Sequence, residues 1–298
     1  MSSTLETLQK QIASGEDLSS IVRTMKALAA TSVRQYEKAA ESLDDYYHTV
    51  ELGLSVALSS PSETVTAPAP DPRRPVMMLV FGSDHGLAGR FNEQIVSHAL
   101  ESGGPPKWGS LENAPKLFVG IGEQALSRLN AAAVDMPESF NMPTSISAIT
   151  PFIQLLLETI DRRRTAEGLE RVLLFYNRPL KAGFSPETEI LLPVDLAGLK
   201  ETRLKWESRS LPTFTMPSGQ LLSALLRQYF FVSLYRACAL SLAAENTSRL
   251  AAMQAAEKNI NERLGELKTA YQHERQAAIT EELLDIISGF KAITGSQG

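Results

Sequence analysis

Cysteine is almost missing from this sequence: its 298 residues contain one, Cys238. No intramolecular disulfide can close, which fits a reducing compartment, and a cysteine–histidine zinc site lacks its ligands. Histidine is scarce as well, with His48, His85, His98 and His273 scattered along the chain. No uninterrupted apolar run reaches bilayer-spanning length. The opening stretch MSSTLETLQKQIASGEDL has neither the basic start and apolar core of a secretory signal nor the arginine richness of a transit peptide. A soluble or peripheral protein is therefore expected. Excess positive charge is also lacking: the formal net charge is −5, which speaks against a general nucleic-acid binder. What is present is ordinary, 43% hydrophobic and 21% charged residues, enough for a real core in one or two domains.

The most telling absence is of proline. None occurs from Met1 to Ser60 or from Ser218 to Gly298, whereas prolines recur from Pro61 to Pro217. A proline inside a helix costs about 3 kcal/mol, so two proline-free ends around a proline-rich middle predict two long helices around an inserted domain. In the first end Leu18, Ile21, Val22, Met25, Leu28, Ala29, Val33 and Tyr36 recur at three- and four-residue spacing, as on one helical face. The pattern continues to Leu58 and gives way to SSPSETVTAPAPDPRRP, a linker by composition. In the second end a broad apolar surface around Leu221–Cys238 narrows to a stripe through Leu250, Met253, Ile260, Leu264, Leu267 and Tyr271, and on to Ile287. A broad stripe suits burial against a domain and a narrow one suits a two-helix seam. Helices of about 50 and 70 residues would reach roughly 75 and 105 Å, far longer than ordinary globular helices. Each needs a partner, and the opposite end of the same chain, lying antiparallel, is the nearest.

The middle reads as an α/β domain. VMMLVF (76–81), KLFVG (116–120) and RVLLFY (171–176) are short apolar runs typical of buried strands, and a further strand is expected over Thr188–Pro193. Segments 91–101, 123–130 and 150–164 read as the helices between them, so strand and helix alternate around a mainly parallel sheet. The expected organisation is a helix over 1–60, a linker over 61–75, an α/β domain over 76–212 and a helix over 213–298.

GSDHGLAGRFN (82–92) follows the first strand, where α/β sheets commonly bind ligands. Its glycines, Gly82, Gly86 and Gly89, do not fit GxGxxG, and no Lys-Ser/Thr pair completes a phosphate loop. Asp84 and His85 are neighbours in sequence, with no nucleophile motif after them. The expected role is a tight surface turn, with Gly86 and Gly89 relieving the backbone and Asn92 in the first turn of a helix. Arg162, Arg163 and Arg164 fall at a predicted helix end, where cations suit the dipole. Cys238, on an apolar stripe, reads as core. In the last end, small residues (Ala251, Ala252, Ala255, Ala256, Ala277, Ala278) allow close approach, and Arg275, Gln276, Thr280 and Glu282 form a polar set that is either a solvated face or a surface read by a partner.

Three segments, IVRTMKALAATSVRQYEKA, GSDHGLAGRFN and SRLAAMQAAEKNINERLGELKTAYQHERQAAITEELLDIISG, resemble in order the gamma subunits of F-type ATP synthases. The likeness covers nearly the whole chain and is most specific in AAM-x-AA and RQAAITEELLDIISG. It departs from the usual SDRGLCGGLN at His85, Arg90 and Phe91, and has Leu28-Ala29-Ala30 where Val-Ala-Ala is usual, which suggests a divergent bacterial form. The resemblance implies an antiparallel coiled coil of terminal helices plus an inserted Rossmann-like α/β domain. It implies a rotor stalk with no catalysis, cofactor or direct nucleotide binding of its own. The partners implied are alpha and beta subunits of the catalytic ring, an epsilon subunit and a membrane c-ring, on the cytoplasmic face of a bacterial inner membrane. By motif, Met25, Arg249, Arg275, Gln276, Thr280 and Glu282 would face the catalytic ring. Two other readings of the residues are a self-associating coiled-coil scaffold and a nucleotide-binding α/β enzyme with helical arms.

Overall fold

The computed structural model describes residues 2–58, 71, 73–104, 114–136, 138–181, 183–195 and 212–294. Most of the composition-defined linker, 61–70 and Pro72, lies outside the described residues. The chain forms two compact units: Met1–Leu28 with Leu250–Gly298, and Ala29–Arg249.

The larger unit is built on a five-stranded sheet. Its strands are β1 (Val76–Phe81), β2 (Lys116–Ile121), β3 (Glu138–Phe140), β4 (Arg171–Pro179) and β5 (Phe184–Leu192), in the order β3-β2-β1-β4-β5. β1 pairs in parallel with β2 and β4, β2 with β3 in parallel, and β4 with β5 antiparallel. Every residue of β1 is buried, which is why it reads as an unbroken apolar run rather than an alternation. Successive side chains go to opposite faces. Met77, Leu79 and Phe81 join the core with Ile149, Ile153 and Leu156; Met78 and Val80 join the other with Ile95, Ala99 and Leu129.

The intervening helices are α3 (Phe91–Glu101), α4 (Glu123–Ala131) and α5 (Ile146–Glu167). The observed α5 starts a turn earlier than the sequence reading, because Pro151 lies inside the helix instead of at its beginning. β3 escaped the reading: it has three residues, ESF, and none is fully buried. β5 begins at Phe184, before the expected Thr188. Arg162 and Arg163 do more than complement a dipole. Both bind Glu138 of β3, and Arg163 also pairs with Glu167.

The first proline-free end is not one helix. It forms α1 (Ser2–Glu41) and α2 (Asp44–Leu58), separated by a turn. At the break Leu43 N bonds Ala40 O, three residues back, and Ser42 Oγ donates to Ala39 O. The hydroxyl competes for the helix's own carbonyls and the turn tightens there. The second end is a single helix, α6 (Ser218–Thr294), of 77 residues. In the larger unit its Leu234, Ala237, Cys238 and Leu242 are buried with Tyr36 and Ala40 of α1. Cys238 is fully buried there, and burial pushes its thiol well above the usual range.

Candidate functional site

Two places hold the residues singled out by sequence: the glycine turn after β1, and the helix pair of the smaller unit.

The turn spends its polar groups internally. Ser83 N donates to Asn92 Oδ1 at 2.9 Å, and Asn92 Nδ2 donates to Ser83 Oγ at 2.8 Å. Asp84 accepts from Glu123 N at 3.2 Å, at the start of α4, and from Met142 N at 3.0 Å. The place where a helix N-terminus would hold a phosphate is thus taken by the protein's own carboxylate. Asp84 is therefore more than part of a surface turn: it joins the turn to α4 and to the loop after β3. His85, Leu87 and Arg90 are exposed, and Arg90 pairs with Glu93 at 2.9 Å. The backbone differs from expectation at one position. Gly89 has a positive φ of 55°, but its counterpart is Leu87 at 64°, not Gly86. Gly82 is required for a different reason: a Cβ there would fall 2.3 Å from that of Ala125.

In the smaller unit α1 and α6 pair antiparallel. A Cβ on Gly15 would meet Leu264 Cδ2 at 2.7 Å, and Lys268 Nζ lies 2.7 Å from Glu16 Oε1. Glu257 of α6 accepts from Lys26 Nζ at 2.5 Å and from Arg23 Nε at 3.1 Å. These bonds hold its carboxyl below the usual range, the Lys26 bond being the larger cause. The apolar face is narrower than the sequence suggested. Val22 of α1 is buried, but Leu18, Ile21 and Leu28 are exposed by half or more. A seam follows a 3.5-residue period, and these three leucines and isoleucines fall on the adjoining row. On α6 Met253, Leu264 and Leu267 are buried. Thr4 and Leu8 lie beside Ala270, His273 and Glu274, so α1 starts opposite the 270s. Further along, Ile279, Leu283, Leu284, Ile286 and Ile287 are all exposed.

Met25 is half-buried beside the Lys26–Glu257 bridge. Arg275, Gln276, Thr280 and Glu282 are exposed and lie together on successive turns of α6. Thr280 Oγ1 donates to Gln276 O at 2.9 Å. Gln276 and Thr280, with His273, Ala277, Glu281 and Leu284, border one shallow surface groove, whose lining does not include Arg275 or Glu282. Arg249 is placed differently. It belongs to the larger unit, and its guanidinium folds onto Glu245, Nη2 to Oε1 2.6 Å, leaving the side chain 14% exposed. Sequence reasoning passed over Glu245 and Glu257. The available signal was a carboxylate interrupting an apolar helical stripe. Among the described residues no cluster of histidine, cysteine or acid could hold a metal, and no helix is long and apolar enough to cross a membrane.

The ATP synthase family model matches residues 4–293. Among curated relatives, the ATP synthase gamma chain of Bdellovibrio bacteriovorus is 27% identical over 98% of this chain and 99% of that protein. That of Phocaeicola vulgatus is 30% identical over 97% and 99%. Among solved structures, a chain of the Euglena gracilis mitochondrial ATP synthase OSCP/F1/c-ring assembly superposes with a TM-score of 0.67 at 18% identity, covering 100% of this chain and 97% of that one. A chain of the Tetrahymena thermophila mitochondrial ATP synthase central stalk/c-ring gives 0.53 at 22% identity, covering 79% and 99%.

Proposed function

Since this chain belongs to the ATP synthase family, we propose that it is the gamma subunit, the central rotor stalk that couples ion flow through a membrane ring to ATP synthesis or hydrolysis. The observation that supports this most is the 77-residue α6. Its last turns expose Leu283, Leu284, Ile286 and Ile287 instead of pairing them, in a chain matched to the family almost end to end. Exposed apolar rows of this kind suit an interface. In this reading the subunit binds no nucleotide and performs no chemistry. One asymmetric helix pair presents unlike faces to like catalytic subunits, and turning it changes their affinities in sequence. Its partners are alpha and beta subunits around the helix pair, with epsilon and the c-ring at the sheet unit. The complex sits on the cytoplasmic face of a bacterial inner membrane, with this subunit peripheral to it.

Met25, Arg275, Gln276, Thr280 and Glu282 are the proposed contacts with the ring. Arg275 and Gln276 are free to make charge-assisted or neutral hydrogen bonds to polar loops. Arg249 belongs to the same proposed set, although in the free subunit its guanidinium is held by Glu245. Co-expression with alpha and beta subunits should yield a complex with ATPase activity, and a chain that associates with neither would end the proposal. Arg275→Ala and Gln276→Ala should each lower coupled activity several-fold while leaving helical content unchanged. Unaltered coupled activity in both variants would remove them from the contact set.

A further inference from the structure

β5, at the end of the sheet order, turns two carboxylates, Glu187 and Glu189, toward the sheet face that α6 covers. Residues two apart on a strand share a face. Glu187 lies opposite Tyr176 of β4, which is buried in one core with Leu191 of β5 and Leu234 and Cys238 of α6. The Tyr176 phenol reaches both carboxyls: its oxygen lies 3.3 Å from Glu187 Oε2 and 3.1 Å from Glu189 Oε2. A phenol carries one proton and donates along one bond. The second bond closes when a carboxyl brings a proton of its own and donates to the phenol oxygen. Arg178 Nη1 holds Glu187 Oε1 at 3.3 Å, which favours the charged form there. The extra proton therefore sits mainly on Glu189.

The surroundings agree with this count of protons. Burial pushes the Glu189 carboxyl above the usual range. Burial, with the two glutamates, also pushes the Tyr176 phenol up, so the phenol keeps its own proton. The other groups around Glu189 are Tyr229, Ser233 and Arg236 of α6 and Tyr47 of α2. Tyr47 Oη donates to Tyr229 Oη at 3.3 Å, with Glu51 of α2 beside both and His48 beside Glu51. Arg236 is the cation on this side, and other groups share it. Its Nε lies 3.5 Å from Asp44 Oδ1, and its guanidinium lies 5.9 Å from the centre of the Tyr47 ring. Loss of the proton leaves two carboxylates on one phenol where β5 packs on α6.

We propose that Glu187 and Glu189 share one proton through the Tyr176 phenol, and that this proton is a pH-sensitive clamp: it holds β5 against α6, and the joint loosens when rising pH releases it to water. The full-length chain by itself is enough for the test. Carbon-13 NMR of the glutamate-labelled chain should show Glu189 keeping its proton beyond the ordinary carboxylate range, above about pH 5. Glu187→Gln should bring that titration down by about one pH unit, because the like charge is gone. A carboxyl raised by burial alone would not move. Glu189→Gln replaces the neutral acid with a neutral amide, which can make the same donation to the phenol. The folded chain holds the proton more tightly than the unfolded one. The clamp's contribution is therefore full below the unfolded value and lost as pH rises through the folded value. Urea midpoints of the parent and Glu189→Gln should coincide at about pH 4, and the variant should be the more stable at about pH 8. At about pH 8 the β5 amides should exchange about tenfold faster in the parent than in the variant. A Glu189 that titrates in the ordinary range in the parent overturns the clamp, whether or not either variant folds. So does a titration that Glu187→Gln leaves in place, or equal β5 exchange in the parent and Glu189→Gln. The gamma-subunit reading stands apart from all of these results.

Discussion

The sheet unit and the helix pair use the same apolar residue types in opposite ways. In the sheet unit Phe81, Phe91, Ile95, Leu79 and Leu129 are fully enclosed, with strands and helices on both sides. In the helix pair a few residues on each helix, Val22 on α1 and Met253, Leu264 and Leu267 on α6, are covered, while other leucines and isoleucines meet solvent. A helix with one partner can bury one stripe. Whatever apolar surface lies outside that stripe is free for another molecule, and the sequence has placed large residues there. The first region is built to be complete by itself, and the second to be completed.

The contrast is broken most severely from the sheet side. Phe81→Ala should cost about 3–5 kcal/mol in urea unfolding, because the ring is fully enclosed and little can collapse into its place. Leu264→Ala in the seam should cost about 2 kcal/mol, the low end for a leucine, because a two-helix seam encloses it less completely than the sheet core encloses Phe81. Leu283→Gln with Ile286→Gln should change the stability of the free chain by less than about 0.5 kcal/mol, since both side chains are already exposed. The same pair should reduce recovery of the ATPase complex. Normal recovery would mean the exposed row has no partner there.

Acid gives the smallest and most selective effect. Lys26 and Arg23 hold the Glu257 carboxyl below its unfolded value. Their stabilisation is therefore present above the ordinary carboxylate range and lost as pH falls through the depressed folded value. The gap in urea midpoint between the parent and Glu257→Gln should be seen near neutral pH and close at about pH 3. A gap that stays constant with pH would mean that the bridge does not carry it.

The elements legible in advance were those with a single physical cause. β1, β2 and β4 are enclosed on both faces and so appear as plain apolar runs, and α6 as a long span without proline. The break at Ser42 and Leu43 was not legible, because a hydroxyl turning back onto a carbonyl leaves no mark on hydrophobic spacing. Nor was the choice of seam. Leu18, Ile21 and Leu28 sit within one helical step of Val22 and Ala29, and only the partner helix decides which row is covered. At the turn the failed phosphate spacing was readable, but the duty of Asp84 toward Glu123 and Met142, 39 and 58 residues away, was not. The ring-facing role of Met25 and of the 275–282 set came from family resemblance; hydrophobic spacing alone put Met25 on the apolar face of the first helix and left the polar set as either a solvated face or a surface read by a partner.

The uncovered end of α6 bears on how the protein is made as well as on how it turns. A free copy carries Leu283, Leu284, Ile286 and Ile287 in water, each more than half exposed, and such a patch joins with others of its kind. Surplus chains released before their binding partners would clump at this end. Balanced synthesis, or a chaperone that covers the last turns until assembly, is therefore part of what the sequence demands of its host.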